Sequence, residues 1–210
     1  MKKLEISGNW NYKTDAEDYG VQNGWFTMEF KENPFVLPGS ACENRVGVKQ
    51  EYYDELTNES IRAPRERYEY IAPLWLQKKV TIPNEWEGKN IFLFLERVNI
   101  ASGLWIDDKQ IGRQIIDLST PHIYRLPEDL CGGTHLLTLR IDNRNLINMD
   151  VMASGYSVDT QGYWNGVIGR MELICEEVFH IDDVQIYPDE KGLDIRGVFT
   201  GDVHSPFVKK

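Results

Sequence analysis

The chain has 210 residues, 41% hydrophobic and 27% charged, which is enough to bury a full core in one large domain and too apolar for a disordered chain. Its 33 acidic residues outnumber 23 basic ones, for a formal net charge of -10, and basic groupings are no larger than pairs such as Lys78 and Lys79, so nucleic acid is excluded as an expected partner. The longest apolar run, Ile91 to Leu95, is far short of the roughly 20 residues that cross a bilayer, and no apolar stretch follows Lys2 and Lys3 as a signal peptide requires. A soluble protein with no membrane partner is expected, in a compartment that the sequence leaves open.

In chain order, strand signals dominate. The segments Leu74 to Pro83, Lys89 to Val98 and Ser102 to Ile115 are rich in β-branched and aromatic residues and are broken by Pro, Gly or Asp pairs. The third reads as a hairpin turning at Asp107 and Asp108. Between Trp25 and Arg67, prolines, glycine and amides without a clean strand period predict long ordered loops and short strands, anchored by Trp25, Phe26 and Phe35. Pro127 to Leu130 is the one modest helical candidate. Gly132 and Gly133 then permit a tight turn into Thr134 to Arg144, where Leu137, Leu139 and Ile141 share one face. Strands without intervening helices predict an all-β fold, an antiparallel β-sandwich of about eight core strands in a jelly roll. The first domain is expected over residues 1–177. Residues 178–210 offer two strands too few to close a core, read as the truncated start of a second sandwich.

The chemistry-bearing motifs of common enzymes are missing. There is no GxSxG, HExxH, GxxxxGK[ST] or GxGxxG, the histidines His122, His135, His180 and His204 stand apart, and adjacent carboxylates such as Asp107 and Asp108 read as turn charges. Cys42, Cys131 and Cys175 form no CxxC pair and have no His at metal-ligand spacing, so they read as buried small hydrophobes, with one bridge plus one free thiol left open and no metal site or cofactor expected. The aromatics say more. Sugars are bound by ring faces against C–H groups, with amides and carboxylates taking the hydroxyls, and "DTQGYWN", Asp159 to Asn165, gathers all three on a Gly-containing loop. Trp75 and Trp105 lie within strand patterns and read as packing residues. Trp164 reads equally as a sugar platform or as the anchor of its loop.

The colinear phrases "ISGNWNY", "FVLPGSACENRVG", "YIAPLWLQKKVTIPNEWEGKNIFLFLERVNIASGLWIDDKQIG", "STPHIYRLPEDLCGGTHLLTLRIDNR" and "YWNGVIGRMELIC" resemble the N-terminal domain of family 2 glycoside hydrolases, the group of β-galactosidases, β-glucuronidases and β-mannosidases. The resemblance covers Leu4 to Cys175, with "VFHIDDVQIYPD" resembling the start of the next domain. It implies a galactose-binding-like jelly roll, followed in relatives by an immunoglobulin-like sandwich and a TIM barrel that holds both catalytic glutamates of a retaining, β-galactosidase-like mechanism. This chain is therefore expected to be inactive alone. Its partners would be a β-glycoside substrate and the catalytic domain of the same parent chain. Asn44 matches a family asparagine that contacts substrate, and Asp159, Gln161, Trp164 and Asn165 complete the expected substrate-binding set. Gly162 stands where relatives carry a sugar- or cation-binding aspartate, and Asp159 lies three residues earlier. Two rivals stay open: a free-standing carbohydrate-binding module, and a structural domain that buttresses an enzyme or mediates homo-oligomerisation.

Overall fold

The computed structural model describes residues 1–51, 66–130, 132–147, 163–190 and 192–200. Among these the strands are β1 (Lys2–Glu5), β2 (Gly8–Thr14), β3 (Pro34–Leu37), β4 (Gly39–Ser40), β5 (Val48–Lys49), β6 (Tyr68–Glu69), β7 (Leu74–Ile82), β8 (Asn90–Val98), β9 (Ala101–Ile106), β10 (Lys109–Ile116), β11 (His122–Arg125), β12 (Gly133–Asp142), β13 (Gly166–Glu176), β14 (His180–Asp189) and β15 (Gly192–Thr200). They form a five-stranded sheet ordered β1-β13-β8-β11, with β4 also on β13, and a six-stranded sheet ordered β10-β9-β12-β7-β2-β3. All pairings are antiparallel. From β7 to β13 the chain passes repeatedly from one sheet to the other, the wiring of a jelly-roll sandwich.

Period-two patterning decides which residues meet between the sheets. Leu74 and Leu76 of β7, Leu104 of β9 and Leu137, Leu139 and Ile141 of β12 face Leu93 and Leu95 of β8 and Leu173 of β13, all fully buried. Each such side chain contributes about 2 kcal/mol by leaving water. The expected shared face of Leu137, Leu139 and Ile141 is thus the core face.

Trp75 and Trp105 are buried as expected, yet outside this core. They point to the opposite face of the six-stranded sheet, 5.1 Å apart by ring centroids, and pack with Phe30, Trp25 and Phe26. Phe26 stacks on Trp105 at 5.4 Å. Residues 15–30 cover this face because two side chains hold them there. The Asp15 carboxylate accepts from the backbone N–H groups of Tyr19 (2.8 Å) and Gly20 (2.9 Å) and from Trp75 Nε1 (2.8 Å). Gln77 of β7 accepts from Phe30 N at 2.8 Å and donates to the Met28 carbonyl at 2.9 Å.

The hairpin β9-β10 turns at Asp107 and Asp108 as expected, with Asp107 at φ 56 and Lys109 opposite Ile106. Pro127 to Leu130 is a turn rather than a helix, closed by Leu130 N on the Pro127 carbonyl at 3.2 Å. Pro127 before it and Gly132–Gly133 after it leave too few residues to repay helix nucleation. Strands β14 and β15 pair with each other as a separate two-stranded sheet. Ile186, Leu193 and Ile195 stay 58%, 65% and 63% exposed, on a hairpin too small to be stable alone.

Candidate functional site

Three expected site residues fall within the described chain, and two of them belong to one buried amide cluster at the end of the sandwich where β12 finishes and β13 begins. Asn143, directly after β12, donates through Nδ2 to the carbonyls of Tyr70 and Tyr163, both at 2.9 Å. Its Oδ1 accepts from Asn165 Nδ2 at 3.1 Å, and the same Nδ2 donates to the Ala72 carbonyl at 2.7 Å. The Asn165 carbonyl accepts from Ala41 N at 2.6 Å. Asn99, between β8 and β9, donates to the Trp164 carbonyl at 2.8 Å. Tyr163, Trp164 and Asn165 are therefore held one after another by buried side-chain amides.

The cluster also leaves capacity. Every Nδ2 in it faces a carbonyl oxygen, which fixes how each amide is turned. The Oδ1 atoms of Asn99 and Asn165 are then buried acceptors that receive no donor among the described residues, both residues being 1% exposed. Buried acceptors normally find a partner, so these two oxygens are unmet acceptors within the brace.

Asn165 is consequently a brace of the loop, with its Oδ1 buried along with the rest of the side chain. Asn44 is committed in the same manner. Its Oδ1 accepts from Val36 N at 2.7 Å, and its Nδ2 donates to the carbonyls of Val36 at 3.0 Å and Ser40 at 2.9 Å. Both N–H groups are spent on backbone. The turn it closes begins with a reciprocal pair in "SACE": Ser40 N donates to Glu43 Oε2 at 2.7 Å and Glu43 N to Ser40 Oγ at 3.2 Å, the pattern of a capping box. Trp164 is half-buried, with its main chain pinned on both sides. Asp159 and Gln161, with Gly162, lie outside the described residues.

Sequence reading missed the polar hub in "RIDNR". Asp142, 1% exposed, accepts from Arg140 Nη2 at 2.9 Å and from Arg144 Nη2 at 2.6 Å and Nε at 2.9 Å. The two guanidinium groups also reach Asp18, each at 2.6 Å. Burial raises the pKa of Asp18, but hydrogen bonds from Arg144 and Arg140 outweigh it and hold the carboxyl below its ordinary range. Arg140 and Arg144, aligned by Asp142, thus tie β12 to the 15–20 loop, while Asn143 ties it to the segment before β13. The available signal was a run of polar residues on a strand whose other face is wholly apolar.

A Ser–His pair exists elsewhere. Ser102 Oγ lies 2.6 Å from His122 Nδ1 and 2.8 Å from the Tyr124 hydroxyl, and Tyr124 donates to the Ser102 carbonyl at 2.6 Å. Ser102 and His122 are fully buried between the sheets, so no substrate reaches them. Burial lowers the His122 pKa and pushes Tyr124 up to about 12. This is an inter-sheet tie. Among the described residues no group of His, Cys, Asp and Glu is placed to hold a metal ion, and no helix is long and apolar enough to cross a membrane.

No family model matches the sequence. Solved structures do match its fold. A Ruminococcus gnavus β-glucuronidase superposes with a TM-score of 0.67 at 16% identity over 95% of this chain and 33% of its own. For a β-glucuronidase of an uncultured Clostridium species the values are 0.63, 18%, 93% and 34%. For the Faecalibacterium prausnitzii β-glucuronidase they are 0.65, 20%, 95% and 36%. The chain spans about a third of the length of these structures, and at such identities the likeness is one of fold. The expected resemblance is met at the level of fold, through β-glucuronidases.

Proposed function

We propose that this chain is the N-terminal accessory domain of a retaining β-glycosidase of family 2, with β-glucuronides as the favoured substrates, and that it forms one wall of a pocket whose catalytic glutamates lie in another domain of the parent chain. The observation that carries this reading is the match over 95% of the chain to enzymes of which it covers 33%. The Ser102–His122 pair is sealed between the sheets, in keeping with a positional role.

The positional role falls to Trp164. Asn99 holds its carbonyl, and Asn165, Asn143 and the Ala41 N–H hold the residue after it, so the indole is presented from fixed main chain. A fixed wall lowers the entropic cost of aligning a sugar with a reacting group, an effect that costs about 100-fold in rate when placement slips by 1 Å. Asp159 and Gln161 would supply hydroxyl contacts from the same loop. Asn44 would act through the turn it closes and one remaining acceptor lone pair. Residues 178–210 would be the first strands of an immunoglobulin-like domain that covers the apolar face of the β14-β15 hairpin.

The test is an assay of the parent chain and of the isolated 210 residues with aryl β-D-glucuronide and aryl β-D-galactoside. Hydrolysis of the glucuronide by the parent alone is expected. Hydrolysis by the isolated 210 residues would refute an accessory role.

A further inference from the structure

We infer a second, separate binding site, for a small carboxylate, on the outer face of the six-stranded sheet. It is a cleft of about 350 Å³ between β2 and the segment leading into β3, lined by Lys13, Met28, Glu29, Phe30, Lys31 and Asn33 among others. None of these residues lies on the strands or turns that hold Trp164.

Charge is the first reason. The chain carries a formal net charge of -10, yet this cleft gathers two ammonium groups that make no ion pair among the described residues, Lys13 and Lys31. The one carboxylate in the lining, Glu29, is paired with Lys79 outside it at 2.7 Å. Lys13 is held in place without being neutralised: its Nζ sits 3.3 Å from the centroid of the Trp25 ring, which offers π-density on one side and leaves the ammonium donors for an anion on the other.

Shape and polarity give the rest of the ligand. Phe30 is anchored in the Trp75–Trp105 cluster and Met28 is 44% exposed beside it, so the lining includes an adaptable apolar surface on a fixed support. Asn33 donates one Nδ2–H to the Tyr12 carbonyl at 3.2 Å, which leaves its Oδ1 as an acceptor for a hydroxyl. A single carboxylate between two lysines, an apolar flank and a hydroxyl describe a sugar acid or similar hydroxy acid. A multiply charged anion is disfavoured by the field of an acidic protein.

The experiment titrates the 210-residue protein with D-glucuronate and, as a probe lacking only the carboxylate, D-glucose, by calorimetry and by NMR chemical-shift perturbation. Expected are saturable binding of glucuronate with shifts at Lys13, Phe30 and Lys31, no saturable binding of glucose, and roughly fivefold weaker glucuronate binding in each of Lys13→Gln and Lys31→Ala, the loss of an exposed ion pair. Lys31→Glu should abolish it, and Trp164→Ala should leave it intact. Equal binding of both sugars, absent glucuronate binding, or loss in Trp164→Ala with retention in Lys31→Glu would each overturn the proposal. Because the readout is binding by this chain alone, it stands or falls apart from the assay of the parent enzyme.

Discussion

Gly39 and Gly166 meet backbone to backbone where β4 joins β13: a Cβ on Gly166 would lie 2.3 Å from the Gly39 carbonyl oxygen. This contact accounts for the glycine of "YWNG", while at Gly39 of "LPGS" a Cβ would lie 2.7 Å from the Val36 carbonyl oxygen. Gly166 also sits at φ 142, where other residues are strained. We expect Gly166→Ala to destabilise by about 3 kcal/mol or more, since backbone has to move. Gly88, at φ 71 with no atom within 4 Å of its Cβ position, isolates the conformational part. Gly88→Ala should cost about 1 kcal/mol, and paired urea melts compare the two.

The amide cluster makes a second prediction. Asn143→Ala removes two buried donors and one acceptor at once, leaving the Tyr70 and Tyr163 carbonyls and the Asn165 amide short of partners. A loss of about 3 kcal/mol is expected, with faster amide exchange in Tyr163 to Gly166. Asn44→Ala, which opens a partly exposed turn, should cost about 1 to 2 kcal/mol. An Asn143→Ala loss no larger than that of Asn44→Ala in thermal melts would contradict the brace.

His122 predicts acid sensitivity. In the neutral ring, Nδ1 accepts from the Ser102 hydroxyl and Nε2–H donates toward the Asp117 carbonyl at 3.3 Å. Burial holds the folded pKa below the ordinary 6.5, only partly offset by Asp117. As pH falls below about 6.5, the unfolded chain takes up a proton that the folded chain refuses, so stability declines until the folded pKa is reached. Above that range the group has no effect. His122→Asn should be less stable at pH 8 but show a flatter loss between pH 6.5 and 5 in urea melts. The Asp18 carboxyl, lowered by its arginines, adds a later loss as pH drops below its ordinary 3.8.

The β14-β15 hairpin predicts a clean boundary. Its two strands pair with each other, its described apolar side chains are exposed, and the main core cluster includes none of its residues. Ending the chain at residue 177 should leave the melting temperature within about 3 °C, less than 1 kcal/mol for a domain of this size. A drop above 8 °C would make the hairpin part of the first domain.

Strand positions were legible because Leu137, Leu139 and Ile141 alternate with Thr138 and Arg140 at the period of a pleated strand, and because "IFLFL" is a short apolar run bounded by polar residues. The hairpin at Asp107 and Asp108 was equally plain. The outer aromatic cluster was not, since Trp75 and Trp105 carry the same strand signal on either face, and only the hydrogen bonds of Asp15 and Gln77 bring residues 15–30 over them. The candidate site was half legible. Trp164 and Asn165 stood out by composition, but an asparagine that binds sugar and one that braces a loop are written with the same letter, and the partners of Asn165 and Asn44 come from residues up to 93 positions away. Asn143 and Asp142 drew no attention because a strand end with polar residues looks like solvent-facing surface.

The central claim is that Trp164, presented by the amide cluster, positions the sugar for glutamates elsewhere in the parent chain. Measuring kcat/KM of the parent enzyme and its Trp164→Ala variant on an aryl β-D-glucuronide tests it most directly. A fall of about 10- to 100-fold with an unchanged melting temperature is predicted. An unchanged kcat/KM would contradict it and leave this chain a structural support.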